Sequence, residues 1–171
     1  MRDLYVILRG DGLYHMVGTV GLNSLSIGYT GSKDLKEWLS QKLIPVMEKE
    51  TRIRICWASE ITYNPLTKSS IIYWASTRDG QFTETAEFKE KNYYHRICYI
   101  LTNDFKIFPK PKLLYEPRLN VIDITIVPYK GKFLMFVRNE ILISVHKYIF
   151  VATADSMCSP YSSLSSPITG F

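Results

Sequence analysis

Three runs of strand-forming residues each carry one carboxylate. Asp3 lies in Arg2-Asp3-Leu4-Tyr5-Val6-Ile7, Glu60 in Trp57-Ala58-Ser59-Glu60-Ile61-Thr62-Tyr63, and Asp123 in Val121-Ile122-Asp123-Ile124-Thr125-Ile126-Val127. The acids stand 57 and 63 residues apart. Carboxyl groups gathered on one pocket repel each other and resist desolvation, so they are costly unless they bind or react. The chemistry open to such a pair is glycosyl hydrolysis, in which one carboxylate activates water and a protonated carboxyl donates to the leaving oxygen. The alternative for Asp3 is an ion pair with the adjacent Arg2. For Asp123, set among Val121, Ile122, Ile124 and Ile126, an exposed ion pair is less natural.

Elements that could position these acids follow from an internal repeat. After each acid-bearing run comes a turn: Gly10-Asp11-Gly12, Asn64-Pro65-Leu66-Thr67-Lys68, or Lys130-Gly131-Lys132. An apolar strand follows each turn: Tyr14 to Thr19, Ile71 to Ser76, and Phe133 to Val137. Glycine or Asn-Pro turns between such runs signal hairpins. A third strand then leads to an aspartate in a polar turn, at Asp34, Asp104 and Asp155, which we read as structural. Short outer strands complete the units at Leu43 to Val46, Lys112 to Tyr115 and Pro167 to Thr169, the last with a proline suited to an edge. The units run over approximately 1-50, 51-117 and 118-171. One helical turn is conceivable at Asp34 to Trp38, and Arg78 to Lys91 reads as an insertion loop.

A four-stranded sheet of this kind buries both faces only by stacking on its neighbours. The expected fold is therefore an all-β propeller of four-stranded antiparallel blades. The first strand of each blade would line the axis, where Asp3, Glu60 and Asp123 would converge. An open array of blades would leave apolar faces and sheet edges that favour self-association.

Composition excludes several other functions. The net charge is +5, but the 21 lysines and arginines are scattered, so no nucleic-acid surface is expected. No apolar run approaches the roughly 18 residues of a membrane span, and none follows the N-terminus as a signal peptide would require. The compartment is left open. Cys56, Cys98 and Cys158 fit neither a zinc site nor a disulfide framework, and we expect free thiols. His15, His95 and His146 lack metal-ligand spacing, so no metal or cofactor is expected. No nucleophile elbow or phosphate-binding glycine loop occurs.

Several motifs together resemble glycoside hydrolase family 43 and its arabinanase-like relatives, which are five-bladed propellers. They are Arg2-Asp3, Asp11-Gly12-Leu13-Tyr14-His15-Met16-Val17, Gly28-Tyr29 before Ser32-Lys33-Asp34-Leu35, Cys56-Trp57-Ala58-Ser59-Glu60-Ile61, His95-Arg96-Ile97, Asn120-Val121-Ile122-Asp123 and Val151-Ala152-Thr153-Ala154-Asp155-Ser156. The resemblance covers nearly the whole chain and about three of the five blades, an open arc. It implies an inverting hydrolase of arabinose- or xylose-containing oligo- or polysaccharides that uses no cofactor. Asp3 would be the general base and Asp123 the residue that tunes a pKa and orients substrate. The family's general acid, a glutamate in a Glu-Gly-Pro motif, has no counterpart in these 171 residues.

Three further departures are Leu4 for the proline after the base, Ser59 for the proline of the tryptophan motif, and Ile124 for a small residue after the tuning aspartate. Ile124 is expected to crowd the pocket floor. Trp57 is a candidate sugar platform or else a buried inter-blade tryptophan, and Glu60 is a candidate for substrate hydrogen bonding. Two readings follow: a glycosidase, or a non-catalytic propeller remnant that binds carbohydrate or serves as a scaffold.

Overall fold

The computed structural model describes residues 1–85, 93–141 and 147–169. Among the described residues, eleven strands form three antiparallel meanders. The first sheet contains β1 (Arg2–Leu8), β2 (Tyr14–Thr19), β3 (Ile27–Ser32) and β4 (Lys42–Ile44), in that order. The second contains β5 (Trp57–Asn64), β6 (Ser69–Ser76), β7 (Arg96–Thr102) and β8 (Lys112–Tyr115). The third contains β9 (Val121–Tyr129), β10 (Lys132–Asn139) and β11 (Ile149–Ala154). Short turns join the first two strands of each sheet. At Lys130-Gly131 both residues have positive φ, 47° and 77°, which matches the twist of a two-residue hairpin.

The sheets stack face to face, and β5 touches both β1 and β9. The middle sheet is covered on both sides, which explains why β6 reads as a continuous apolar run. Ile72 and Trp74 of β6 pack with Val17 and Ile27 of the first sheet. The alternate residues Ile71, Tyr73 and Ala75 pack with Ile124, Ile126 and Met135 of the third. Period-two alternation thus supplies two cores from one strand. On the far side of β1, Leu4, Val6 and Leu8 alternate outward and are exposed. Arg9 pins the first two sheets together. Its Nη2 donates to the carbonyls of Lys68, at 3.0 Å, and Asn103, and its guanidinium lies over the Tyr63 ring at 5.3 Å.

Two local expectations need correction. The third sheet has three strands, and Pro167 to Thr169 is not a fourth. A serine-rich segment runs along the β11 edge instead. The N–H groups of Ser162, Ser165 and Ile168 donate to the carbonyls of Thr153, Val151 and Ile149. In return, Ser162 Oγ, Ser165 Oγ and Thr169 Oγ1 accept from the N–H groups of Thr153, Val151 and Ile149, each at 3.0 Å. Hydroxyls replace the carbonyls of a regular strand, and three residues advance along two of β11. Asp34 to Trp38 forms no helical turn, because Leu35 adopts φ 64° and the segment bends back to bridge Ser32 with Trp38. The expected insertion at Arg78 to Lys91 begins with a bridge from Arg78 to Ile53 and a 3-10 turn at Thr83–Thr85; its remainder lies outside the described residues.

Candidate active site

In each sheet the first strand carries one irregularity at the same place. Pairing slips between Arg2 and Tyr5 in β1, between Trp57 and Glu60 in β5, and opposite Val137 and Arg138 in β9. The slipped residue is left-handed each time: Asp3 at φ 50°, Ala58 at 49° and Asp123 at 50°. These are β-bulges, which re-aim a side chain and sharpen local twist. Aspartate tolerates the left-handed region better than most residues, whereas Ala58 bears a cost of about 1–2 kcal/mol that its tight packing must offset.

The bulges define the true repeat register. Ala58, not Glu60, is the counterpart of Asp3 and Asp123. Glu60 stands two residues further along and faces Tyr73, as Tyr5 faces Val17 and Thr125 faces Phe136. Two layers therefore line the inner edge: Asp3, Ala58 and Asp123 above, and Tyr5, Glu60 and Thr125 below. Because side chains alternate, Glu60 still points to the same side as the bulged residues.

Asp3, Glu60 and Asp123 together line a cavity of about 170 Å³, with Leu4, Tyr5, Ala58 and Ser59. Glu60 is the most enclosed of the three acids. Its carboxylate accepts from Thr125 Oγ1, at 3.0 and 2.9 Å, and from the Tyr73 hydroxyl at 3.2 Å. Burial raises its pKa to about 7 against these hydrogen bonds, with the negative charge of Asp123 adding to the rise. Asp123 is held differently: Arg138 Nη2 lies 2.7 Å from its Oδ2 and 3.1 Å from Glu140 Oε2. Burial raises the pKa of Asp123, Arg138 opposes the rise, and Glu140 and Asp3 add to it. Asp3 has Arg2 Nε at 3.8 Å, with both side chains half exposed.

Trp57 sits beside the cavity rather than in its lining. Its indole N–H donates to the carbonyl of Leu22 at 2.9 Å, and its ring meets Tyr93 edge-on at 5.1 Å. The Arg2 guanidinium lies 6.0 Å from the ring. Ile124 does not crowd the floor as expected; the bulge at Asp123 turns it into the core between the second and third sheets.

Two features of the site went unremarked in the sequence: the cation beside Asp123 and the burial of Ser59. Arg138 could have been found by counting back from the Lys130-Gly131 turn, which sets it across from Asp123. Ser59 is fully buried at the cavity wall, and its Oγ has no hydrogen-bond partner among the described residues. A buried hydroxyl without a partner is costly to the fold.

The two described histidines serve the scaffold. His15 stacks on Phe105 at 4.2 Å and shares hydrogen bonds with Tyr29 and Asp11, its pKa lowered mainly by burial. His95 shares its Nδ1 with Thr77 Oγ1 at 2.9 Å, and burial pushes its pKa down to about 3. His146 lies outside the described residues. No group of three or more His, Cys, Asp or Glu side chains among the described residues is arranged to hold a metal ion.

Stacked antiparallel meanders whose first strands bring carboxylates to one cavity define a β-propeller of the kind found in glycoside hydrolases. The chain belongs to the family described as "Probable glycosyl hydrolase domain", a relative of glycoside hydrolase family 43, whose model matches residues 1–169. No curated protein matches the sequence. Among solved structures it is similar to an endo-arabinase from Bacteroides thetaiotaomicron, with TM-score 0.77 and 13% identity over 99% of this chain and 56% of that one. It is also similar to an α-L-arabinofuranosidase from Lactobacillus brevis, with TM-score 0.69 and 16% identity over 98% of this chain and 53% of that one. An N-acetylgalactosamine deacetylase from F. plautii has TM-score 0.69 and 13% identity, over 97% of this chain and 52% of that one. The chain thus spans about half the length of these structures. A shared fold that serves different reactions leaves the chemistry to be argued from the site.

Proposed function

We propose that the cavity between Asp3 and Asp123 is the sugar-binding site of a glycosidase acting on arabinose- or xylose-containing oligo- or polysaccharides. The observation that carries this reading is the pair of bulges that turn two aspartates, from sheets separated by a third, onto one small cavity. Asp3, the less constrained of the pair, takes a proton from water as it attacks the anomeric carbon. Asp123, charge-balanced by Arg138, orients the sugar and sets the local field. Trp57 with Tyr93 offers aromatic surface at the rim. One displacement with general-base assistance inverts configuration at the anomeric carbon.

The test is hydrolysis of nitrophenyl arabinofuranoside and nitrophenyl xyloside by the purified chain, beside Asp3→Asn and Asp123→Asn. Turnover that both substitutions abolish is expected. Folded protein without turnover would instead favour a carbohydrate-binding propeller without catalysis. Binding of arabino- and xylo-oligosaccharides by calorimetry then separates a binding module from a scaffold.

A further inference from the structure

We propose that Glu60 is the proton donor to the departing glycosidic oxygen at this site, acting from the middle strand between the two aspartates. This rests on the hydrolytic reading above and adds to it a catalytic role for a third residue.

Glu60 shares the cavity wall with Asp3 and Asp123, so a sugar seated there lies against all three acids. Its surroundings are what a carboxyl that must both hold and release a proton requires. The groups that face it are Thr125 and Asp123 from β9, Tyr73 from β6 and Tyr5 from β1. None of these is a cation, and burial outweighs the hydrogen bonds from Thr125 and Tyr73, so its carboxyl stays protonated up to about pH 7.

The neighbouring hydroxyls accommodate both states. Thr62 Oγ1 donates to the carbonyl of Ile126 at 2.9 Å, so its proton is committed. Tyr73 accepts from the N–H of Ile126 at 3.1 Å and has one proton of its own to place. Two acceptors compete for it: Glu60 Oε2 at 3.2 Å and Thr62 Oγ1 at 3.1 Å. While Glu60 is protonated, the Tyr73 hydroxyl turns to Thr62. Once Glu60 has given up its proton, the same hydroxyl turns back and, with Thr125, solvates the new carboxylate. One bond rotation serves both states, with no reorganisation of the backbone.

The step balances. Water forms a bond to the anomeric carbon and passes a proton to Asp3, while the bond from that carbon to the glycosidic oxygen breaks and this oxygen takes the Glu60 proton.

The experiment compares wild type with Glu60→Gln on two substrates of unequal need for acid. Nitrophenyl arabinofuranoside loses a good leaving group unaided, whereas arabinobiose must protonate its departing hydroxyl. Glu60→Gln is expected to slow arabinobiose hydrolysis by about a hundred-fold or more and nitrophenyl release by only a few-fold. The decline of wild-type kcat/KM on the alkaline side should also vanish. The ratio of the two rates within one preparation does not depend on the folded fraction. Glu60→Asp, which keeps a carboxyl, should restore part of the arabinobiose rate. Equal losses on both substrates with the alkaline decline intact would overturn the assignment and leave the acid to be supplied by another residue. Absence of wild-type turnover on either substrate would overturn the hydrolytic reading itself.

Discussion

Arg138 Nη2 lies 2.7 Å from Asp123 Oδ2 and 3.1 Å from Glu140 Oε2, so one guanidinium stands between two carboxylates at the cavity rim. Asp123 projects there because β9 bulges at that residue; a regular strand would aim it elsewhere. Bulge and cation thus act together. One sets where the carboxylate points, and the other limits the cost of its charge.

Replacing Arg138 by glutamine keeps much of the side-chain volume and removes the charge. With burial, Glu140 and Asp3 unopposed, the already raised pKa of Asp123 should climb further. Carboxyl carbon shifts followed by NMR against pH should show a higher Asp123 midpoint in Arg138→Gln. If Asp123 works as a carboxylate, the acid side of the pH–rate profile should move up in step. An unchanged midpoint would mean that solvent, not Arg138, balances the charge.

The sheets were legible because hairpin turns and period-two alternation leave strong local marks. The polar turns were legible as well. Asp34 Oδ1 caps the N–H groups of Lys36 and Glu37, and Asp104 Oδ1 those of Lys106 and Ile107, so one signature folds the same way twice. Asp155 departs from this pair and forms an exposed ion pair with Lys132.

The bulges were not legible. Asp3, Ala58 and Asp123 share a backbone conformation, but Ala58 lacks the carboxylate of the other two, so matching acid to acid drew Glu60 into the wrong register. Ile124 was misjudged for the same reason: a left-handed residue before it changes the face it occupies. The fate of Pro167 to Thr169 hinged on hydroxyl-to-backbone bonds, which have no period to read in a sequence.

That hydroxyl ladder is testable by itself. Ser165 Oγ accepts from the N–H of Val151 at 3.0 Å and donates to the carbonyl of Ser166. Ser165→Ala should destabilise the fold by about 0.5–1.5 kcal/mol and speed amide exchange at Val151 relative to Val137. Ser165→Thr keeps the hydroxyl and should retain the protection. Unchanged exchange in the alanine variant would show that the hydroxyl adds nothing beyond the Ser165 N–H bond to Val151.

Trp57 offers a reporter for sugar binding. Of the three tryptophans, Trp74 is fully buried in the core between the first two sheets, whereas Trp57 is half-buried beside the cavity. Titration with arabino-oligosaccharide should change tryptophan emission in wild type, and Trp57→Phe should abolish most of the change. Since the phenyl ring preserves part of the packing against Tyr93, affinity should fall by about 0.5–1.5 kcal/mol. A full signal from the Phe variant would assign the platform to other residues.

Glu60 also makes stability depend on pH in a predictable direction. In the unfolded chain its carboxyl ionises near the ordinary value of 4.5, whereas in the folded chain burial holds it protonated to about pH 7. Below 4.5 both states carry the proton and Glu60 contributes no difference. As pH rises from there to about 7, only the unfolded chain loses it, so the folded state is progressively penalised. Above 7 the penalty is complete, about 2 kcal/mol after allowance for partial exposure.

Glutamine at position 60 can accept from Thr125 and Tyr73 through its carbonyl without bearing charge. Glu60→Gln should therefore melt close to wild type at pH 4 and several degrees above it at pH 8, while hydrolysing arabinobiose more slowly. That pairing of gain and loss is the signature of a group kept at a cost for its chemistry. Equal melting temperatures across the pH range would show that the carboxyl ionises in the folded chain as it does in water.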